Sequence, residues 1–166
     1  MVTLEAILER NNLNRAYKQV KANRGGPGVD GMTVDELLDY LRAHAVEIVE
    51  TVKAGKYKPQ PVRRVMIPKE EKGKFRPLGI PTAVDRVIQQ AIAQKLSDEY
   101  EPVFSLHSHG FRPCRSCRTA IDEALDIANQ GYVWVVDLDL SKFFDTVNHS
   151  KLLLHTLKQF RTFFFF

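Results

Sequence analysis

Cysteine occurs only twice in these 166 residues, at Cys114 and Cys117, and tryptophan once, at Trp134. Two cysteines three positions apart build no disulfide framework, so a reducing, cytoplasmic setting is expected. Long apolar runs are missing as well. Val133-Trp134-Val135-Val136 is among the longest, against the roughly 20 apolar residues that a membrane span requires, and no span is expected. The N-terminus, Met1-Val2-Thr3-Leu4-Glu5, has no basic region and meets an acid at once, so no secretory signal is expected. Acid itself is lacking at the far end, where no Asp or Glu follows Asp145.

What is present suits a globular protein. The hydrophobic share of 44% is too high for intrinsic disorder, and the length suits about one domain. The net charge of +4 is unevenly spread. Residues 1–52 carry 6 basic and 8 acidic side chains, residues 53–118 carry 14 and 6, and residues 119–166 carry 4 and 6. Nine cations stand between Lys53 and Arg76 against Glu70 and Glu71 alone. Such a field suits a polyanion, whose phosphates release counterions when neutralised, although a solvated basic face would look the same.

Periodicity predicts a mostly helical chain. Leu13, Ala16, Tyr17 and Val20 form a first helical face behind Asn12 as N-cap. The run Asn23 to Gly31, with one proline and four glycines, reads as an ordered loop. A second helix follows, with Thr33 and Glu36 as a capping box, Met32 and Leu37 as a hydrophobic staple, a stripe of Leu37, Leu38, Leu41, Ala45, Ile48 and Val52, and Gly55 as its stop. Val62–Ile67 and Phe75–Ile80 are β-prone and flank a polar turn, which predicts a projecting hairpin with a basic tip, since Pro68 and Pro77 bar both strands from a sheet centre. A third helix is expected from Pro81-Thr82 to near Pro102, a fourth from Ser116 to Gly131 with Ile121, Ala124, Leu125 and Ala128 on one face, and a last from about Ser150 through Leu157. Between the last two, Tyr132–Leu140 reads as a buried strand that turns acidic at its end.

That acidic end bears the chemistry. Alternation puts Asp137 and Asp139 on one side of an extended strand, and open sheets place their sites at the carboxyl ends of strands. A carboxylate there is a hard ligand suited to Mg²⁺, which takes one or two carboxylates together with phosphates and waters. Two acids closing a strand before a turn is the plainer alternative.

Five blocks in order remove the ambiguity. Gly28-Val29-Asp30-Gly31, Ile67-Pro68-Lys69 with Arg76-Pro77-Leu78-Gly79-Ile80-Pro81-Thr82, Asp85-Arg86-Val87-Ile88-Gln89, Ser108-His109-Gly110-Phe111-Arg112-Pro113 and Val133 through Asp139 to His149 resemble the corresponding motifs of group II intron reverse transcriptases from about Asn12 to Leu157. The resemblance implies an α+β fold of helix-rich fingers with a β-hairpin and the beginning of a palm sheet, an incomplete domain. Its segments would be a helical extension over 1–55, fingers over 56–131 and the start of the palm over 132–166. Asp139 matches the family's metal-binding aspartate, and the Leu140 carbonyl matches a second ligand to the same Mg²⁺ ion. Phe144 matches the aromatic beneath the incoming sugar, while Lys69 and Arg76 match the cations that hold its triphosphate. Arg63, Arg64, Lys72, Lys74 and Arg112 are expected to contact RNA. Asp137 and Asp145 are expected to stand behind the metal site, Asp145 as a turn cap.

The implied activity is RNA-directed DNA synthesis in intron mobility and splicing, on a primed RNA template with deoxynucleotide triphosphates. The family's remaining catalytic aspartates lie in a later segment with no counterpart here, so this chain is expected to be inactive alone and to need a C-terminal remainder. A non-catalytic RNA-binding fingers fragment, or a non-functional remnant, is the alternative. The Phe163–Phe166 run suits a cut or shifted reading frame, and a sequencing boundary would look the same. Cys114 and Cys117 depart from the family pattern; with His107 and His109 they do not make a standard zinc spacing and read as substitutions.

Overall fold

The computed structural model describes residues 2–71 and 73–159, with the side chains of 157–159 left aside. Lys72 and the Phe163–Phe166 run lie outside the described residues. Seven helices and one hairpin are found among them, in the order α1 (Leu4–Ile7), α2 (Arg10–Ala22), α3 (Leu37–Lys53), β1 (Arg63–Pro68), β2 (Phe75–Ile80), α4 (Ala83–Tyr100), α5 (Cys117–Asn129), α6 (Phe143–Thr146) and α7 (His149–Gln159), with a 3-10 turn at Glu101–Val103. The chain divides into two compact units, the first running to Leu96 and the second beginning at Ser97.

The core lies in the first unit. Ala16 and Val20 of α2, Leu37 of α3, and Ala83, Val84, Val87 and Ala91 of α4 are buried, together with Val2, Ile7, Leu8 and Val34. Beyond Leu37 the expected apolar stripe of α3 is only half-buried at Leu38, Leu41, Ile48 and Val52, and Ala45 is exposed. The stripe lines an apolar groove of about 570 Å³ with Leu13, Tyr17 and Ile88 among the facing residues. Thr33 and Glu36 make the expected reciprocal bonds, but in the turn ahead of the helix: α3 begins at Leu37, and Glu36 rather than Thr33 stands at its N-cap position, without a side-chain cap bond. The Thr33 amide donates to Glu36 Oε2 at 2.8 Å and the Glu36 amide donates to Thr33 Oγ1 at 3.4 Å, closing the turn that leads into α3.

Asn12 is not the cap of α2. The helix begins at Arg10 behind Glu9, and Asn12 lies buried within it. Its amide donates to the carbonyls of Ile7 (2.8 Å) and Ala91 (3.0 Å), and it accepts at Oδ1 from Gln94 Nε2 at 2.8 Å. Asn12 is more valuable there, because a buried carbonyl without a donor costs more than a missing cap.

The second unit is more open. The Ser116 cap is as expected: Ser116 and Thr119 exchange hydrogen bonds in a capping box, and Gly131 follows the helix at φ 96°. The apolar face of α5 is exposed, however, with Ile121 59% and Leu125 55% accessible. Tyr132–Leu140 likewise forms no strand, with Trp134 94% accessible. A strand is defined by its ladder, and among the described residues β1 and β2 form the one sheet, a pair to which this segment contributes nothing. The chain is thus helix-rich α+β with one hairpin, and the expected palm strand is a segment without regular secondary structure.

Candidate nucleotide and nucleic-acid interface

The hairpin sets most of the candidate cations. β1 and β2 pair antiparallel, with Arg63 opposite Ile80, Ile67 opposite Arg76 and Pro68 opposite Phe75. The ladder continues one step outward, where the Lys69 amide donates to the Lys74 carbonyl at 2.8 Å. Residues opposite one another, and those two positions along, share a face. Arg63, Lys69, Lys74 and Arg76 therefore stand on one face of the hairpin, among Val65, Ile67, Leu78 and Ile80. Arg64 stands on the other, with Met66 and Phe75. All five cations are exposed. Lys74 is also paired with Glu71 at the tip, a surface pair that weakens its own availability little.

The base of the hairpin is held by one buried carboxylate. Asp85, in the first turn of α4, is 3% accessible. It accepts from the Tyr57 hydroxyl at 2.6 Å, from the Gln60 amide at 3.1 Å and from Thr82 Oγ1 at 2.7 Å, and its own amide donates to Thr82 Oγ1 at 3.2 Å. Burial first, then the hydrogen bond and charge of Asp85, raise the Tyr57 hydroxyl above the ordinary tyrosine pKa, so it is a firm donor. Gly28 lies against this same turn. A Cβ at Gly28 would stand 2.7 Å from the Thr82 Cα, and only glycine permits that approach. Arg86 Nη2 adds a bond to the Gly26 carbonyl at 3.0 Å.

Arg112, an expected RNA contact, is spent inside the second unit. Its Nε and Nη2 donate to Glu101 Oε1 at 3.1 and 2.7 Å, and its Nη1 donates to the carbonyls of Ser105 and Ser108 at 2.6 and 2.8 Å. With the Arg112 side chain 7% accessible, almost none of its five donors is left for phosphate. The guanidinium lies 5.2 Å over the Phe104 ring. It organises the loop before α5. The Arg112 hydrogen bonds, ahead of its charge, hold the Glu101 carboxyl below its usual range.

His107 and His109 both turn to Glu123, one to each carboxylate oxygen, the second at 2.6 Å, and His109 Nδ1 also meets Thr119 Oγ1 at 2.9 Å. The hydrogen bond from His107, then that from His109, lowers the Glu123 pKa. Cys114 and Cys117 are free, exposed thiols. Among the described residues, no three His, Cys, Asp or Glu side chains converge as a metal-holding group.

Asp139, Leu140 and Phe144 belong to the second unit and are all exposed. Lys142 turns the chain at φ 51°, after which Phe143 and Phe144 open α6 with their rings edge to face, centroids 5.5 Å apart. The Asp139 carboxylate and the Leu140 carbonyl are hard oxygen donors of the kind that Mg²⁺ takes, and the rest of its shell would be phosphate and water.

Sequence reasoning found the hairpin and its cations but not the Asp85 clamp. Thr82-x-x-Asp85 carries a recognisable capping pattern. Nothing local ties it to Tyr57.

The sequence model of the reverse transcriptase (RNA-dependent DNA polymerase) family matches residues 67–164, more than half of the chain. The chain belongs to the reverse transcriptase family. Among curated relatives it is 40% identical over 138 residues to the group II intron-encoded protein LtrA of Lactococcus lactis subsp. cremoris, covering 83% of this chain and 23% of that protein. Over 156 residues it is 40% identical to protein YkfC of Escherichia coli K12, covering 90% of this chain and 41% of that protein. A putative COX1/OXI3 intron 1 protein of Saccharomyces cerevisiae is 36% identical over 148 residues, covering 87% of this chain and 17% of that protein. Within the family the chain stands with the group II intron-encoded members as a counterpart of their N-terminal part, and it spans less than half the length of each of these relatives. Among the described residues no helix is long and apolar enough to cross a membrane.

Proposed function

We propose that this chain supplies the fingers and the opening palm segment of a group II intron-encoded, RNA-directed DNA polymerase, and that by itself it binds RNA without extending a primer. The observation that carries the reading is the hairpin face on which Arg63, Lys69, Lys74 and Arg76 stand together, exposed, along one antiparallel ladder. Lys69 and Arg76 are the cations for an incoming triphosphate, since lysine offers a point charge and arginine a bidentate fork. Arg63 and Lys74 extend the same charge along a nucleic-acid backbone, with Lys72 and Arg64 as further contacts. Residues 1–55 form the extension, 56–131 the fingers and 132–166 the start of the palm.

Asp139 and the Leu140 carbonyl would hold Mg²⁺, which when bound supplies charge stabilisation to phosphoryl transfer. Phe144 would pack beneath the sugar. The chemistry asks the protein for positioning and for two metal ions, and Asp139 is the one carboxylate of the 166-residue chain matched to that task. A cytoplasmic location fits the composition.

The test is RNA affinity measured against salt, in parallel with primer extension on a primed RNA template with Mg²⁺ and deoxynucleotides. The reading expects affinity that falls steeply as salt rises and no extended product. Affinity indifferent to salt would remove the binding role, and extension abolished by Asp139→Asn would show the chain to be a polymerase by itself.

A further inference from the structure

We propose that Asp85 is a positioning residue that aims the basic hairpin, acting through Tyr57 and Gln60 rather than through any contact of its own with RNA. The inference rests on the reading of the hairpin as an RNA-binding face and adds the device that orients it.

A two-stranded hairpin is marginal by itself in water. Here β1 and β2 are exposed along most of their length, with only Val65, Ile67 and Ile80 half-buried. The direction of such an element is set at its base. Its two legs leave the helical body differently. β2 ends at Ile80 and passes through Pro81-Thr82 directly into α4, so that leg is fixed covalently to a helix. The other leg, residues 56–62, has no regular structure. Lys56-Tyr57-Lys58-Pro59-Gln60-Pro61-Val62 includes two prolines, which remove two amides from any ladder.

That leg is tied to the same place by Asp85. Oδ1 accepts from the Tyr57 hydroxyl at 2.6 Å, and Oδ2 accepts from the Gln60 amide at 3.1 Å. Oδ2 also accepts from Thr82 Oγ1 at 2.7 Å. One carboxylate, 3% accessible, thus closes the loop between the start of the first leg and the end of the second. Capping of α4 needs only the Thr82 and Asp85 exchange. The bonds to Tyr57 and Gln60 are surplus to that cap, and their partners lie 28 and 25 positions away. A charged acceptor shared by three donors is strong and directional, and burial excludes competing water. Arg63 begins β1 three residues after Gln60, so looseness at Gln60 passes directly to the cationic face.

Tyr57→Phe separates aiming from capping, because it deletes one tie and leaves the Thr82 and Asp85 exchange intact. The 166-residue chain and this variant are compared by hydrogen exchange, thermal melting and affinity for a single-stranded RNA oligonucleotide. The proposal expects faster exchange at the amides of β1 and β2, unchanged exchange in α2 and α4, a melting midpoint within about 2 °C of the parent, and RNA affinity reduced about threefold to tenfold, the worth of one hydrogen bond. Asp85→Asn, which gives up one acceptor oxygen, is expected to loosen the hairpin at least as far. Asp85→Glu, which keeps both acceptor oxygens, should recover part of that loss.

Unchanged hairpin exchange and affinity in Tyr57→Phe would overturn the proposal. So would exchange rising equally in α2, α4 and the hairpin, which would make the tie a general stabiliser. If Asp85→Asn does not fold, Tyr57→Phe decides. If the parent chain shows no salt-dependent RNA binding, the functional reading fails separately, and hairpin exchange still decides whether Asp85 aims the hairpin.

Discussion

Arg112 and Glu101 form a fork within the second unit, Nη2 to Oε1 at 2.7 Å and Nε to Oε1 at 3.1 Å, while Nη1 of the same guanidinium holds the carbonyls of Ser105 and Ser108. A single side chain gathers the loop between the 3-10 turn and α5. Arg112→Ala should lower the melting midpoint by about 3–6 °C, and Arg112→Lys should recover little of it, because an ammonium offers no planar fork. RNA affinity at fixed salt should change far less than on loss of a hairpin cation. Thermal melting followed by circular dichroism, with an RNA titration alongside, checks both halves.

Gly28 meets the Thr82 backbone so closely that a methyl group has nowhere to go: the nearest atoms to an added Cβ are Thr82 Cα at 2.7 Å and Thr82 N at 2.8 Å. Backbone cannot swing aside as a side chain can. Gly28→Ala is expected to cost about 1–3 kcal/mol, the usual range for overpacking, read as a lower urea midpoint with an unchanged slope. Gly31→Ala meets no atom within 4 Å, although φ is +73° there. It tests strain without crowding, and its cost should be about 1 kcal/mol.

Much of this was legible in the sequence where the signal is local. The Thr33 and Glu36 exchange, the Ser116 cap and the hairpin with Pro68 and Pro77 in its strands each depend on residues within a few positions of one another. The failures share a cause. Asn12 is a good cap by type, but its partners Ala91 and Gln94 lie far along the chain, and they draw it into the core. Arg112 counts as one more cation in a basic segment until Glu101 is found beside it. Tyr132–Leu140 has the composition of a buried strand, which states a preference for burial without naming a partner. Of the candidate site, residue types were readable throughout, and strand alternation separates Arg63 from Arg64, whereas which cations of β2 share a face with Arg63 required the register.

Glu123 gives the second unit a pH dependence of defined sign. Hydrogen bonds from His107 and His109 hold its carboxyl below the ordinary value in the folded chain. Stability from this group is therefore fully present above the unfolded pKa and is lost as pH falls through the lowered folded one. Glu123→Gln should melt earlier than the parent near pH 6, and the gap should close progressively below about pH 4. Melting curves at half-unit steps from pH 3 to pH 7 measure it. A gap that stayed constant across that range would mean the carboxylate charge contributes nothing.

Arg63 and Arg64 are neighbours in β1 and so stand on opposite faces of the hairpin, and the register pairs Arg63 with Ile80 and Arg64 with Gly79. RNA lying along the face with Lys69, Lys74 and Arg76 would be within reach of Arg63. Loss of one phosphate contact to single-stranded RNA lowers the dependence of log affinity on log salt by about 0.7. Arg63→Ala is expected to reduce the slope by that amount, and Arg64→Ala to reduce it by less than half as much. Because both substitutions remove the same charge, a general field effect would move them equally; only a one-sided contact separates them. Fluorescence anisotropy over a salt series, on the parent and both variants, makes that comparison, and equal slopes for the two variants would mean that RNA reaches both faces of the hairpin.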